Sequence, residues 1–128
     1  MNKLLLIIED NAENFYMMHF LLTKNGWDIV NAETGRSGIE KALHYKPYGI
    51  LLDIQLPEMD GYEVARVLRN NSELVNIPII AVTSYAMAGD RENILAAGAN
   101  GYIEKPINPD TFVTEIEQYL ADYYKETK

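Results

Sequence analysis

The chain contains no cysteine. That excludes disulfides, thiolate metal sites and a cysteine nucleophile. It is also short of positive charge. Eleven Lys and Arg stand against 19 Asp and Glu, for a formal net charge of −8. Such a balance argues against nucleic acid or an anionic membrane as a partner and suits a divalent cation. No apolar run approaches the roughly 20 residues that a membrane span needs. The opening stretch up to Ile8 is too short for a signal peptide and runs into Glu9 and Asp10. These absences predict a cytoplasmic protein. Linkers, low-complexity segments and internal repeats are lacking too. What remains is 128 residues, 48% of them hydrophobic, enough for one domain with an ordinary core.

The most informative stretch is Ile50-Leu51-Leu52-Asp53-Ile54-Gln55-Leu56-Pro57. From Gly49 to Leu52 the residues are apolar or small with no alternation, the pattern of a strand buried on both faces of a parallel sheet. Asp53 ends it, and Leu56-Pro57 cannot continue a central strand. A carboxylate therefore sits at the carboxyl end of a buried strand, the edge where open α/β sheets bind ligands. Taken alone, Asp53 reads equally well as a loop-capping residue.

The flanking segments repeat the theme. Residues 4–8 read as a first buried strand ending in Glu9-Asp10, with Asp10 as cap of the helix that follows. On that helix Asn14, Met17, Met18, Leu21 and Leu22 share one face, leaving Phe15, Tyr16, His19 and Phe20 on the other. Gly26 stops it. Residues 27–32 form a more polar, edge-type strand, and residues 36–45 a second helix with Ile39, Ala42 and Leu43 inward. After the third strand, over 48–53, Asp60-Gly61 opens a helix with Val64, Val67 and Leu68 inward. Residues 77–82 make a fourth strand ending in Thr83-Ser84, and 86–97 an Ala-rich helix. Residues 100–104 make a fifth strand ending in Lys105-Pro106. Asn108 as cap and Pro109 as first residue begin the last helix, with Phe112, Val113, Ile116 and Leu120 inward. The pattern predicts an α/β fold, a doubly wound sheet of five parallel strands with five helices. Flavodoxin-like folds of this make-up take the strand order 2-1-3-4-5. Residues 1–124 form the domain and 125–128 a charged tail.

In that order the first and third strands are neighbours, and the switch point lies between them. Glu9, Asp10 and Asp53 then converge. Uncompensated, three carboxylates repel strongly in a partly buried site. A hard divalent cation such as Mg²⁺ removes the conflict; a solvated acidic cluster is the competing reading. Lys105 adds a mobile positive charge, and Thr83 a small hydroxyl. Lys105-Pro106 is a candidate cis peptide. A carboxylate nucleophile, a metal, a hydroxyl and an ammonium are parts for phosphoryl transfer.

On Ile8-Glu9-Asp10-Asn11, the run from Asp53 to Gly61, Val82-Thr83-Ser84 and Lys105-Pro106, the chain resembles the receiver domain of two-component response regulators, the CheY-like family. The likeness covers essentially the whole chain. It implies that Asp53 is the phosphoacceptor. It implies Mg²⁺, with Mn²⁺ able to substitute, held by Glu9, Asp10, Asp53 and the backbone carbonyl of Gln55. Glu9 departs from the Asp common in the family, which makes Asp10 the stronger direct ligand. Thr83, Ser84 and Lys105 become the phosphoryl-binding set, Tyr102 the switch aromatic, Pro106 the cis proline, and Gln55 and Tyr85 the flanking positions that tune hydrolysis.

The same resemblance implies a phosphoryl donor, either a sensor histidine kinase or a histidine phosphotransfer protein. It would dock on the first helix, where Phe15, Tyr16 and Phe20 offer an apolar face. Output would pass through the fourth helix, fifth strand and fifth helix to an unidentified protein target, with no nucleic acid or membrane contacted directly. A stand-alone receiver, monomeric or weakly dimeric, is expected. It would be no enzyme beyond self-catalysed phosphoryl transfer and autodephosphorylation. Two rivals are weaker. A haloacid-dehalogenase-like phosphatase wants a second Asp two residues past its nucleophile, where Gln55 cannot transfer a proton. An FMN-binding flavodoxin wants a Gly- and Ser/Thr-rich first loop, whereas Glu9-Asp10-Asn11-Ala12-Glu13 repels phosphate.

Overall fold

Strands β1 (Leu4–Ile8), β2 (Asp28–Ala32), β3 (Gly49–Asp53), β4 (Ile79–Thr83) and β5 (Gly101–Glu104) form one parallel sheet in the order β2-β1-β3-β4-β5. They alternate with helices α1 (Ala12–Lys24), α2 (Gly35–Tyr45), α3 (Gly61–Arg69), α4 (Asp90–Ala96) and α5 (Phe112–Glu126). The structure is a computed structural model and describes residues 2–84 and 89–126. No helix among the described residues is long and apolar enough to cross a membrane.

Strand alternation sorts the core into two layers. Leu6, Ile8, Ile50, Leu52, Ile79 and Ala81 face α2, α3 and α4, and pack with Ala42, Val64, Leu68 and Ile94. Leu5, Ile7, Leu51, Ile80, Val82 and Ile103 face α1 and α5, and pack with Met18, Leu22, Phe112, Ile116 and Leu120. β3 and β4 are buried along their whole length, as continuous apolar runs covered on both faces must be.

Several local expectations are corrected. Asn11, not Asp10, caps α1: its backbone is extended and its side chain accepts from the Asn14 N–H at 2.9 Å. Asp10 is thereby left outside the helix. The inward stripe of α1 runs through Phe15, Met18 and Leu22, so Phe15 is half-buried against the α1/α5 core while Met17 is exposed. On α3, Ala65 is buried and Val67 is exposed. At the last helix, Asn108 accepts from the Asp110 N–H and closes a turn, and the helix proper starts at Phe112. The fourth helix is described from Asp90, and the expected residues 86–88 lie outside the described residues.

Two contacts fix the sheet edges relative to the helices. Arg69, at the end of α3, donates to the carbonyls of Gly98 and Ile77, each at 2.8 Å. Burial lowers its pKa below the ordinary value. At the opposite end, Gly61 sits directly on the end of β3. Its N–H donates to the Ile54 carbonyl at 2.9 Å. A β-carbon there would lie 2.5 Å from the Ile54 Cα and 2.7 Å from the Asp53 carbonyl oxygen. Both are backbone atoms and cannot step aside. Gly61→Ala is therefore expected to cost about 1–3 kcal/mol, the range for overpacking a close-packed site. Urea denaturation measures it; a loss below about 0.5 kcal/mol would show that the loop moves freely.

Candidate functional site

The carboxyl ends of β1, β3 and β5 deliver the charged groups. β1 carries its ladder one residue further, with the Glu9 N–H donating to the Ala32 carbonyl at 2.9 Å. Glu9 is only 1% exposed. Its Oε1 accepts from Lys105 Nζ at 2.9 Å and its Oε2 from the Asn11 N–H at 3.1 Å. Asp53 ends β3 and is 4% exposed. Its Oδ1 accepts from the Gln55 N–H at 3.0 Å, and Lys105 Nζ lies 3.5 Å away. Asp10 completes the group from the exposed side. One carboxylate oxygen from each of Glu9, Asp10 and Asp53 falls within 4.8 Å of the other two.

At such separations each like-charge pair costs about 3 kcal/mol for an effective dielectric constant of about 20. One ammonium faces three carboxylates, so the cluster is under-neutralised. Burial pushes the Glu9 carboxyl up from its ordinary 4.5 to about 7, with the Lys105 hydrogen bond pulling it down and neighbouring Asp53 pushing it further up. An all-oxygen donor set with surplus negative charge fits a hard divalent cation.

The cluster opens into a cleft of about 430 Å³, lined also by Asn11, Asn14, Gln55, Ser84 and Pro106. Gln55 accepts through its side-chain Oε1 from the N–H and the hydroxyl of Ser84. Pro106 follows a cis Lys105–Pro106 bond. Glu9, Asp10, Asp53, Gln55, Ser84, Lys105 and Pro106 are thus brought together. Thr83 is fully buried at the end of β4, and alternation turns it toward the face of Ala81, opposite to that of Asp53. Its carbonyl accepts from the Lys105 N–H at 2.8 Å. Tyr102 lies on the same face as Thr83, partly buried against α2–α4, and its carbonyl accepts from the Tyr119 hydroxyl at 3.1 Å.

Tyr85 lies outside the described residues. On α1, Tyr16 and Phe20 are 72% and 57% exposed, whereas half-buried Phe15 belongs to the core layer rather than to the outer face. Sequence reasoning passed over Asn11 and Asn14 as cleft residues. The only signal was the pair of Asn at cap spacing, which competed with Asp10 for the same role.

The family model described as the response regulator receiver domain matches residues 5–117. The polar-differentiation response regulator DivK of Brucella abortus is 40% identical over 122 residues, spanning 95% of this chain and 99% of the relative. Among solved structures, the receiver domain of a sensor histidine kinase from Pseudomonas aeruginosa, described with a magnesium ion coordinated in its active site cleft, aligns at a TM-score of 0.85 with 30% identity. That alignment covers 94% of this chain and 99% of the other. Chemotaxis protein CheY4 of Vibrio cholerae aligns at a TM-score of 0.87 with 25% identity, covering 93% and 99%. The chain belongs to the response regulator receiver domain family, and its place is in two-component phosphorelay signalling.

Proposed function

We propose that Asp53 is the phosphoacceptor, loaded from a phosphohistidine of a sensor kinase or phosphotransfer protein. The observation that carries the reading is the convergence of Glu9, Asp10 and Asp53 within 4.8 Å of one another, with Lys105 against two of them. In the transfer, a carboxylate oxygen of Asp53 forms a bond to phosphorus as the P–N bond to the donor imidazole breaks. The departing imidazole keeps the electron pair. Asp10, Asp53, Glu9 and the Gln55 carbonyl would hold Mg²⁺ or Mn²⁺, which when bound offsets the negative charge of carboxylates and phosphoryl oxygens.

The chain's own residues do the rest. Lys105 moves from a purely carboxylate environment to one shared with phosphoryl oxygens, as a point charge on a flexible stem. The Gln55 N–H keeps Asp53 Oδ1 oriented. A phosphoryl group adds about −1.5 to −2 charge and three acceptor oxygens. Thr83 turns toward them and Tyr102 follows inward, biasing the α4–β5–α5 surface for a protein target. Gln55 and Tyr85 govern access of water to the acyl phosphate. The domain is a signalling module of the cytoplasm rather than a turnover enzyme. The phosphatase alternative has no support, since the Gln55 carboxamide is engaged with Ser84 and carries no transferable proton.

Incubation with acetyl phosphate and Mg²⁺ is expected to add one phosphoryl group by intact mass to the wild type and none to Asp53→Asn. Label on the variant would place the acceptor elsewhere. Replacing Tyr16 and Phe20 by Ser is expected to slow transfer from the histidine donor while leaving acetyl phosphate loading and the melting temperature unchanged, because both side chains are exposed. Equal transfer rates would remove α1 as the docking face.

The Lys105 ion pair has a pH signature in chelator-treated protein. The Glu9 carboxyl titrates near 7 in the fold against 4.5 ordinarily. Between those values the native state binds more protons than the unfolded chain, so this group's contribution to stability falls as pH rises through the window. Lys105→Met takes away the group that lowers the Glu9 pKa and should steepen the fall. Urea titrations should find the variant about 1 kcal/mol further below wild type at about pH 8 than at about pH 5. A constant difference would mean that Lys105 does not pair with an ionised Glu9.

A further inference from the structure

Gln55 makes two contacts in opposite directions. Its backbone N–H holds Asp53 Oδ1 at 3.0 Å. Its side chain crosses the mouth of the cleft to the end of β4, where Oε1 accepts from the Ser84 N–H at 3.3 Å and from the Ser84 hydroxyl. One neutral acceptor therefore occupies both donors that residue 84 presents to the cleft, and both residues line the wall beside Asp53. Neither belongs to a strand or helix, and both are exposed. Water could satisfy either one, so the link is a choice of this side chain and can be exchanged.

A phosphoryl group on Asp53 introduces three acceptor oxygens into the same cleft. A charged acceptor forms hydrogen bonds roughly twice as strong as a carboxamide oxygen does. The Ser84 N–H and hydroxyl cannot serve both at full strength. We propose that the Gln55 side chain is a strap across the cleft: it fills the Ser84 donors while Asp53 is free and surrenders them to phosphoryl oxygens when Asp53 is loaded. The inference rests on Asp53 being the phosphoacceptor. Gln55 is then a positioning residue with a restraining role. Breaking its link opposes loading by the factor of about 3–10 that one neutral hydrogen bond accounts for. The link also holds the end of β4 to the loop after β3 until the acceptor is filled.

The test uses the full chain, Mg²⁺ and beryllium trifluoride, a tetrahedral stand-in for a phosphoryl group, with Gln55→Met and Ser84→Ala. Methionine keeps the length of the side chain, the backbone N–H and the backbone carbonyl, and removes the acceptor. Gln55→Met is expected to bind the probe about 3–10-fold more tightly than wild type. In the unloaded variant the Ser84 amide resonance should move and its hydrogen exchange should quicken. On loading, the Ser84 resonances of wild type and variant should draw together. Ser84→Ala, which keeps the N–H alone, is expected to fall between them in its response to Gln55→Met. Equal probe affinity within about twofold, or a Ser84 amide in the free protein indifferent to Gln55→Met, overturns the strap while leaving Asp53 as acceptor. Failure of the wild type to load at all overturns the Asp53 reading and the strap with it.

Discussion

The ammonium of Lys105 against Glu9 and Asp53 is the contact on which the site depends. Its three participants come from three different strands. Glu9 follows β1, Asp53 ends β3, and Lys105 follows β5. Nothing local could hold them together. Parallel pairing does so, because it turns all carboxyl ends to one edge, and the order β2-β1-β3-β4-β5 sets β1 beside β3. The backbone of Lys105 is tied in turn to β4 through the Thr83 carbonyl. The reach of its long side chain then crosses the distance that the strand order leaves.

Charge balance at that edge is deliberately incomplete in physical terms. Beneath Glu9 and Asp53 lie Ile7, Leu51 and the rest of the α1/α5 layer, an apolar floor that lowers the local dielectric. Burial is the main reason that Glu9 holds its proton up to about 7. One lysine cannot offset three acids, and a second protein cation placed there would leave no demand for a metal. Surplus negative charge on oxygen donors is what gives such a cleft its affinity for a small divalent ion. The longer reach of Glu9 serves the lysine directly, which leaves the shorter, exposed Asp10 facing the cleft.

Much of this was legible in the residues. Short continuous apolar runs such as Ile79 to Val82, bounded by turn residues, read as strands covered on both faces, and a polar residue at the end of each run marks the shared edge. Given the flavodoxin-like strand order, the meeting of Glu9, Asp10 and Asp53 followed from that. The errors arose where two good residues compete for one role. Asp10 and Asn11 are both strong caps, and only backbone dihedrals decide between them. On α1, apolar residues occupy nearly the whole circumference, so periodicity could not tell whether Phe15 or Met17 faces inward. The Gln55–Ser84 link joins side chains 29 residues apart with no periodic or charge signature; only coordinates reveal it.

On the proposed reading, these contacts are the routes by which an event at Asp53 would be felt at a distance. Among the described residues, two of the links that leave the cleft run to β4 and β5, and each is a specific hydrogen bond rather than a diffuse packing contact. One runs from Gln55 to Ser84 at the end of β4. The other runs from Lys105 through its own N–H to the Thr83 carbonyl, and along β5 to Tyr102, whose carbonyl accepts from Tyr119 on α5. On the proposed reading, a charged acceptor on Asp53 would compete for Ser84 and for Lys105 at once. The tips of both β4 and β5 would then respond to one chemical change. β4 and β5 are adjacent and in register, Thr83 opposite Glu104 and Ala81 opposite Tyr102. A shift at their tips would displace side chains on the face that α4 covers, while the close packing of the buried β3 and β4 resists motion elsewhere. A rigid sheet with exchangeable donors at its rim would give such a local switch a directed output.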